Sequence, residues 1–230
     1  MVYITGDKHG DYSDVLSFCF NFETSIKDIL IILGDAGINY FLNEKDYVLK
    51  ENLSHYPLTL FCIHGNHEER PYNISTYETK KFHNGLVYYE KKYPNVLFAS
   101  DGEVYTFNKK KVLVIGGAYS IDKGFRLSHG YKWYASEQPS EEIKKHIRNV
   151  IKQNNYKINT ILSHTCPFKY IPYEAFISGI DQSKVDNSTE HFLNEIENSI
   201  AYNEWYCGHY HIDKKIKKLR FMMNDIIEYK

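Results

Sequence analysis

The sequence predicts an α/β fold with a parallel core. Three observations carry that prediction. Apolar runs at residues 1–5, 29–33 and 58–63 are short and rich in Ile, Leu, Phe and Val, as strands buried on both faces are. Each run ends in a polar cluster containing Gly together with Asp, Asn or His. Helix-like stretches at 12–22 and 45–55 fill the gaps, which gives the β-α-β-α-β order of a parallel sheet. Ligands of such sheets collect at the carboxyl ends of strands, so the polar clusters are the first places to look for a site.

The remaining elements follow in order. Asp11 precedes the first helical stretch as a candidate N-cap. Runs at 96–99, 103–107 and 111–115 lie close together, with a hairpin turn expected at 108–110. An aromatic and polar loop occupies 116–139. Ser140 with Glu141 and Glu142 signals a capped helix running to about residue 154. Residues 159–163 read as another buried strand ending at His164. After a loop rich in Pro and aromatics, 190–199 reads as a helix and 201–207 as a last core strand. Strands at 214–218 and 221–228 close the chain. No repeat or linker interrupts it, so one unit spanning 1–230 is the simplest organisation.

Composition narrows the class. The 230 residues are 43% hydrophobic and 25% charged, which excludes disorder and collagen-like character. With 28 Lys+Arg against 29 Asp+Glu the formal charge is −1, so bulk capture of nucleic acid or membrane is not expected. No basic segment followed by a long apolar run opens the chain, and no stretch has the length of a membrane helix. Cys19, Cys62, Cys166 and Cys207 form no C-x-x-C pair, and their surroundings read as those of free buried thiols. A cytoplasmic location is expected on that basis. Histidine is the unusual count, at 11.

Five strand ends deliver Asp7-x-His9, Asp35, Asn66-His67, His164 and His209-x-His211. Imidazole nitrogen with carboxylate or carbonyl oxygen is the donor mixture that suits Zn, Mn or Fe. Any one of these clusters alone would be a common turn or a surface histidine. Their joint occurrence, each at a predicted strand end, is what carries weight.

The ordered set Gly6-Asp7-Lys8-His9-Gly10, Gly34-Asp35, Gly65-Asn66-His67-Glu68, Ser163-His164 and Gly208-His209-Tyr210-His211 resembles the calcineurin-like metallophosphoesterase superfamily over almost the whole chain. The resemblance implies a four-layer α/β/β/α sandwich of two mixed sheets flanked by helices. It implies two divalent metal ions, Mn first, with Fe, Zn or Ni as alternatives. Asp7, His9, Asp35 and His211 would hold one ion, and Asp35, Asn66, His164 and His209 the other. A hydroxide shared by the ions would attack phosphorus in line. His67 would stand beside the leaving oxygen as proton donor or charge stabiliser. The substrate would be a small phosphorylated molecule, either a phosphomonoester or a small phosphodiester such as a nucleotide.

Two other functions remain open on the same resemblance. The absent Asp-Arg-Gly motif weighs against a serine/threonine phosphoprotein phosphatase. Retention of His67 and of every expected ligand weighs against a non-catalytic metal-binding scaffold. One departure stands out: the second motif reads Gly34-Asp35-Ala36-Gly37-Ile38, without the further Asp many members carry to support the histidine. Glu68 or Asp46 is the candidate substitute for it.

Substrate choice points to the 116–139 loop. Arg126 can recognise phosphate bidentately, or pair with Asp122. Tyr119 and Trp133 can stack on a base, or pack the loop. Arg70 can reach a phosphate, or pair with Glu68 or Glu69. The six remaining histidines, His64 and His129 among them, lack ligand spacing and are expected to be structural.

Overall fold

The computed structural model describes residues 1–176 and 182–230. Part of the Pro- and aromatic-rich loop after His164 therefore lies outside the described residues.

The first half runs β1 (Val2–Thr5), α1 (Ser13–Phe22), β2 (Ile29–Ile32), α2 (Glu44–Ser54), β3 (Thr59–Cys62), β4 (Glu78–Phe82), β5 (Gly85–Glu90) and β6 (Tyr93–Ala99). The second half runs β7 (Val104–Phe107), β8 (Lys110–Ile115), α3 (Lys123–Ser128), α4 (Glu141–Gln153), β9 (Thr160–Ser163), α5 (Ser188–Ser199), β10 (Glu204–Cys207), β11 (Lys214–Ile216), β12 (Leu219–Phe221) and β13 (Ile227–Glu228). They form two mixed sheets, ordered β13-β1-β2-β3-β6-β5-β4 and β11-β12-β10-β9-β8-β7. The expected parallel centre is present: β1, β2, β3 and β6 run parallel in one sheet, and β8, β9, β10 and β12 in the other.

The two-residue period of the strands makes the layers. Ile4, Ile31 and Phe61 face Val112, Val114 and Leu162 of the other sheet across an inter-sheet core. The alternate residues Tyr3, Leu30 and Leu60 pack outward with Val15, Phe18 and Cys19 of α1 and Leu53 of α2. On the far side Ile161 and Trp205 pack with Ile147 and Ile151 of α4 and Phe192, Leu193 and Ile196 of α5. The result is the α/β/β/α sandwich with both sheets covered. All four cysteines are free and buried. No helix among the described residues is long and apolar enough to cross a membrane.

Several local expectations need correction. Asp11 is not the cap of α1: Tyr12 holds that position, and Asp11 Oδ1 accepts the Ser13 N–H at 3.0 Å just before the helix. Residues 221–228 are not one strand. Asp213 accepts the N–H groups of Met223 (2.8 Å) and Asn224 (3.1 Å), and the chain leaves one sheet at β12 and enters the other at β13. The β4–β5 hairpin was passed over because its first strand, Glu78–Phe82, is a charged, largely exposed edge without apolar alternation, although Asn84-Gly85 and the apolar run at 86–89 mark its turn and second strand. The helix at 141–153 is capped as expected, with Ser140 Oγ accepting the Ile143 N–H at 3.3 Å. Arg70 pairs with neither Glu68 nor Glu69. Its guanidinium bonds the Asp101 carboxylate and the Ser136 carbonyl, the latter at 2.7 Å, and so ties two loops together.

Candidate metal centre and adjoining cleft

The carboxyl ends of β1, β2 and β3 meet those of β9 and β10. Asp7 and His9 follow β1, Asp35 follows β2, Asn66 and His67 follow β3, His164 follows β9, and His209 and His211 follow β10. Parallel strands in register end together, so a single rim collects side chains far apart in sequence.

The geometry is close. Ligand atoms of Asp7, His9 and His211 all lie within 4.8 Å of one another, and so do those of Asp7, Asp35 and His164. The Nε2 atoms of His9 and His211 are 2.9 Å apart, and Asp7 Oδ2 lies 3.4 Å from His211 Nε2. Asn66 Oδ1 lies 2.8 Å from His164 Nε2 and 3.1 Å from His209 Nδ1, while Asp35 Oδ2 is 3.7 Å from His164 Nε2. Asp7 belongs to both compact groups, whereas the resemblance led to the expectation that Asp35 alone would be shared.

The backbone fits this crowding. Gly34 adopts φ +102°, and a Cβ there would fall 2.1 Å from His164 Nδ1. A Cβ at Gly208 would fall 2.1 Å from Asp7 Oδ1. Asp7 also accepts the His209 N–H, at 3.0 Å to Oδ1, and Asp35 Oδ1 accepts the His67 N–H at 2.9 Å.

The donor chemistry matches a divalent cation. His164 Nδ1 stands 2.7 Å from the Leu33 carbonyl, so it donates there, and its Nε2 is the atom turned toward Asn66 Oδ1. The amide of Asn66 is turned the same way, because its Nδ2 donates to Ser120 Oγ at 2.9 Å. Asn66 Oδ1, His164 Nε2 and Asp35 Oδ2 therefore converge in a buried space, and this mixture of nitrogen and oxygen atoms is a donor set that suits a divalent cation. Burial, with His164 nearby, holds His209 well below the usual histidine range, so its ring is neutral and able to ligate. Burial alone would raise Asp35; facing His164, His67 and His9 outweigh it and hold the carboxyl below its usual range. His211 is raised, chiefly by its hydrogen bond with Asp7. His64, expected to be structural, is wholly buried behind Gly65, and burial holds it neutral.

His67 is only partly buried and sits at the edge of the cluster, 3.9 Å from Asp35 Oδ2. Neither substitute proposed for the missing second Asp supports it. Glu68 Oε1 accepts the Gly65 N–H at 2.8 Å, and burial, then Asp35, push its carboxyl well up. Asp46 accepts the N–H groups of Phe41 and Leu42, at 3.1 and 2.7 Å to Oδ2. What meets His67 Nε2 instead is Asn66 Nδ2 at 3.2 Å and Arg126 Nη2 at 3.5 Å. Burial lowers the pKa of His67, partly opposed by Asp35.

Beside His67 and His9 opens a cleft of about 440 Å³ whose walls include Tyr40, Phe41, Leu49 and Arg126. Arg126 does pair with Asp122, Nε to Oδ2 at 2.7 Å, yet its guanidinium still lines the cleft and bonds Tyr40 Oη at 3.0 Å. The pairing with Asp122 is thus present, and the guanidinium is at the same time exposed to the cleft. Tyr119 is half-buried and is not among the residues lining the cleft. Trp133 packs the loop, donating to Glu137 at 2.7 Å beneath Lys123. The aromatic wall is Tyr40 and Phe41, which the motif reading passed over. Their position just after the Gly34-Asp35 turn was the available signal. A larger cleft of about 640 Å³, between Tyr47, Glu78, Lys91 and Tyr93, shares no residue with this one.

One solved structure of the same fold is similar over most of its length. The crystal structure of TT1561 of Thermus thermophilus superposes with a TM-score of 0.52 at 11% identity, covering 96% of this chain and 87% of that one. The protein of unknown function AQ665 from Aquifex aeolicus shares 14% identity over 72% of this chain and 80% of its own, with a TM-score of 0.34. No curated protein sequence matches. The family model described as calcineurin-like phosphoesterase matches residues 1–213, from the first strand through the last histidine of the cluster. With nearly the whole chain matched and the strand-end residues gathered on one rim, the chain belongs to the calcineurin-like phosphoesterase family.

Proposed function

We propose that the chain hydrolyses a phosphomonoester or a small, nucleotide-like phosphodiester in a reaction that depends on two divalent ions, Mn foremost. The observation that carries this reading is the convergence of ligand atoms from Asn66, His164 and Asp35 beside the Asp7, His9 and His211 group. Asp7, His9, Asp35 and His211 would hold one ion; Asp35, Asn66, His164 and His209 would hold the other. When bound, such a pair supplies Lewis-acid polarisation of the phosphoryl group and an activated water.

The chain's own side chains do the rest. Leu33 and Ser120 orient His164 and Asn66, so the ligand geometry is set before substrate arrives. Arg126, anchored by Asp122 and Tyr40, presents a fixed positive charge to non-bridging phosphate oxygens at the mouth of the cleft. His67 stands between the cluster and the cleft, where its ring can give a hydrogen bond or a proton to the leaving oxygen. The free buried thiols support a reducing compartment such as the cytoplasm.

The test is turnover of para-nitrophenyl phosphate and its bis ester by protein loaded with Mn, Fe, Zn or Ni. Asp35→Asn is expected to lose metal and activity together. His67→Ala is expected to keep its metal and lose roughly 10²–10⁴-fold in kcat. Absence of turnover with every metal, or a fully active His67→Ala protein, would refute the corresponding part.

A further inference from the structure

The cleft beside His67 is built rather than incidental. Its wall is the 39–43 loop, where Asn39 and Leu42 have φ of 63° and 53°. The buried Asp46 carboxylate holds that loop by accepting the Phe41 N–H (3.1 Å) and the Leu42 N–H (2.7 Å). Tyr40 and Phe41 meet edge to face, with centroids 4.7 Å apart at 82°. Tyr134 Oη donates to the Tyr40 carbonyl at 2.7 Å, and Arg126 donates to Tyr40 Oη, so the tyrosine is fixed at both ends. Leu49 adds apolar surface, and Lys45 Nζ stands 4.5 Å from the Phe41 centroid at the exposed rim.

The cleft therefore has one cation, Arg126, beside His67, and an aromatic wall with a second cation at its rim. It opens on His67, the group placed beside the leaving oxygen, and not only on the cluster that would take the phosphoryl group. A flat ring against Tyr40 and Phe41 gains edge and face contacts that an alkyl group of similar size does not. An electron-rich ring also suits the nearby ammonium.

We infer that this cleft receives the leaving group, and that the preferred substrate is a phosphate ester whose leaving oxygen is carried on a flat aromatic ring, with Phe41 and Tyr40 as specificity-determining residues. The inference rests on reading the cluster as a phosphoester site. In the reaction, a water oxygen bonds to phosphorus and the bond from phosphorus to the ring's oxygen breaks. That oxygen takes up a proton and departs as a phenol, while the water's proton passes to solvent.

The experiment uses the full chain loaded with Mn. Binding of benzylphosphonate, in which a methylene replaces the ester oxygen of phenyl phosphate, is compared by calorimetry with binding of methylphosphonate. Turnover of phenyl phosphate is compared with that of glycerol 2-phosphate. The native protein is expected to bind benzylphosphonate about tenfold tighter than methylphosphonate. Phe41→Ala should reduce that preference to about twofold or less, and should lower the aryl-to-alkyl ratio of kcat/KM by a similar factor. Phe41→Leu, which keeps apolar volume without a ring, guards against a variant that fails to fold, and should show the same loss. Equal binding of the two phosphonates, or a preference untouched in both variants, overturns the inference. Turnover of both esters with a ratio indifferent to Phe41 overturns the ring pocket and leaves the phosphoesterase reading standing. A ring preference that depends on Phe41 without any ester turnover does the reverse.

Discussion

At the scale of single residues, four of the seven proposed ligands occupy backbone conformations that side chains usually avoid. His9, Asp35, His209 and His211 have φ of 47°, 44°, 69° and 52°. Left-handed backbone costs an L-residue roughly 1–2 kcal/mol, and the four share one rim. Such strain persists where a side chain is needed at a place glycine would otherwise take. His211 offers a clean test because it is exposed and its imidazole contacts are to Asp7 and His9. Both His211→Gly and His211→Ala remove the imidazole and differ only at the backbone. In metal-free protein, His211→Gly is expected to be more stable than His211→Ala by about 1 kcal/mol in urea unfolding, even though glycine is the freer residue when unfolded. Equal stabilities, or a more stable alanine variant, would show that the φ of 52° carries no strain. The residue types were legible in the sequence because metal chemistry restricts them to Asp, Asn and His. Their conformation was not, because nothing in the identity of a His or an Asp marks a left-handed φ.

At the scale of elements, legibility followed apolar pattern. Strands β1, β2, β3 and β9 are buried at every position, and each could be read as an apolar run. The edge strand β4 and the short α3, which buries no residue, carry no such signal. The aromatic wall of the cleft was missed for a related reason: Tyr40 and Phe41 lie in a loop shaped by Asp46, and side-chain-to-backbone bonds leave no periodicity. Helix α5 holds another feature that pattern could not show. Glu190 is buried on it, with Oε1 accepting from Thr165 Oγ1 at 2.7 Å, and burial pushes its carboxyl up to about 7. Between the unfolded value near 4.5 and that folded value, the native chain keeps a proton that the unfolded chain has released. Stability contributed by this group is therefore full below about pH 4.5, falls as pH rises toward 7, and levels off above it. At about 1.4 kcal/mol per pKa unit the loss is about 3 kcal/mol. Glu190→Gln keeps a hydrogen-bonding side chain without the titration. The stability difference between native protein and this variant, measured from about pH 4.5 to 8, should shift by that amount in favour of the variant. A difference that stays constant with pH would mean Glu190 ionises normally.

At the scale of the whole molecule, the proposed ligands are divided between the two sheets. Asp7, His9, Asp35 and Asn66 follow strands of the seven-stranded sheet, and His164, His209 and His211 follow strands of the six-stranded one. Ions held by this set would fasten one sheet to the other at a single end of the sandwich, in addition to the inter-sheet core of Ile4, Phe61, Val114 and Leu162. The unfolded chain scatters the same donors from Asp7 to His211 and cannot reproduce the site, so metal binding must add to folding stability by mass action. At a free Mn concentration about 100 times the dissociation constant, the gain is about 2.7 kcal/mol. For a chain of this size that corresponds to a rise in Tm of roughly 5–10 °C. The shift should vanish with a chelator, and it should shrink both in Asp7→Asn, which removes a ligand of one proposed ion from the first sheet, and in His164→Ala, which removes a ligand of the other from the second. A site confined to one sheet would leave one of those two variants with the full shift of the native protein, and calorimetric scans of the pair with and without metal decide between the two arrangements.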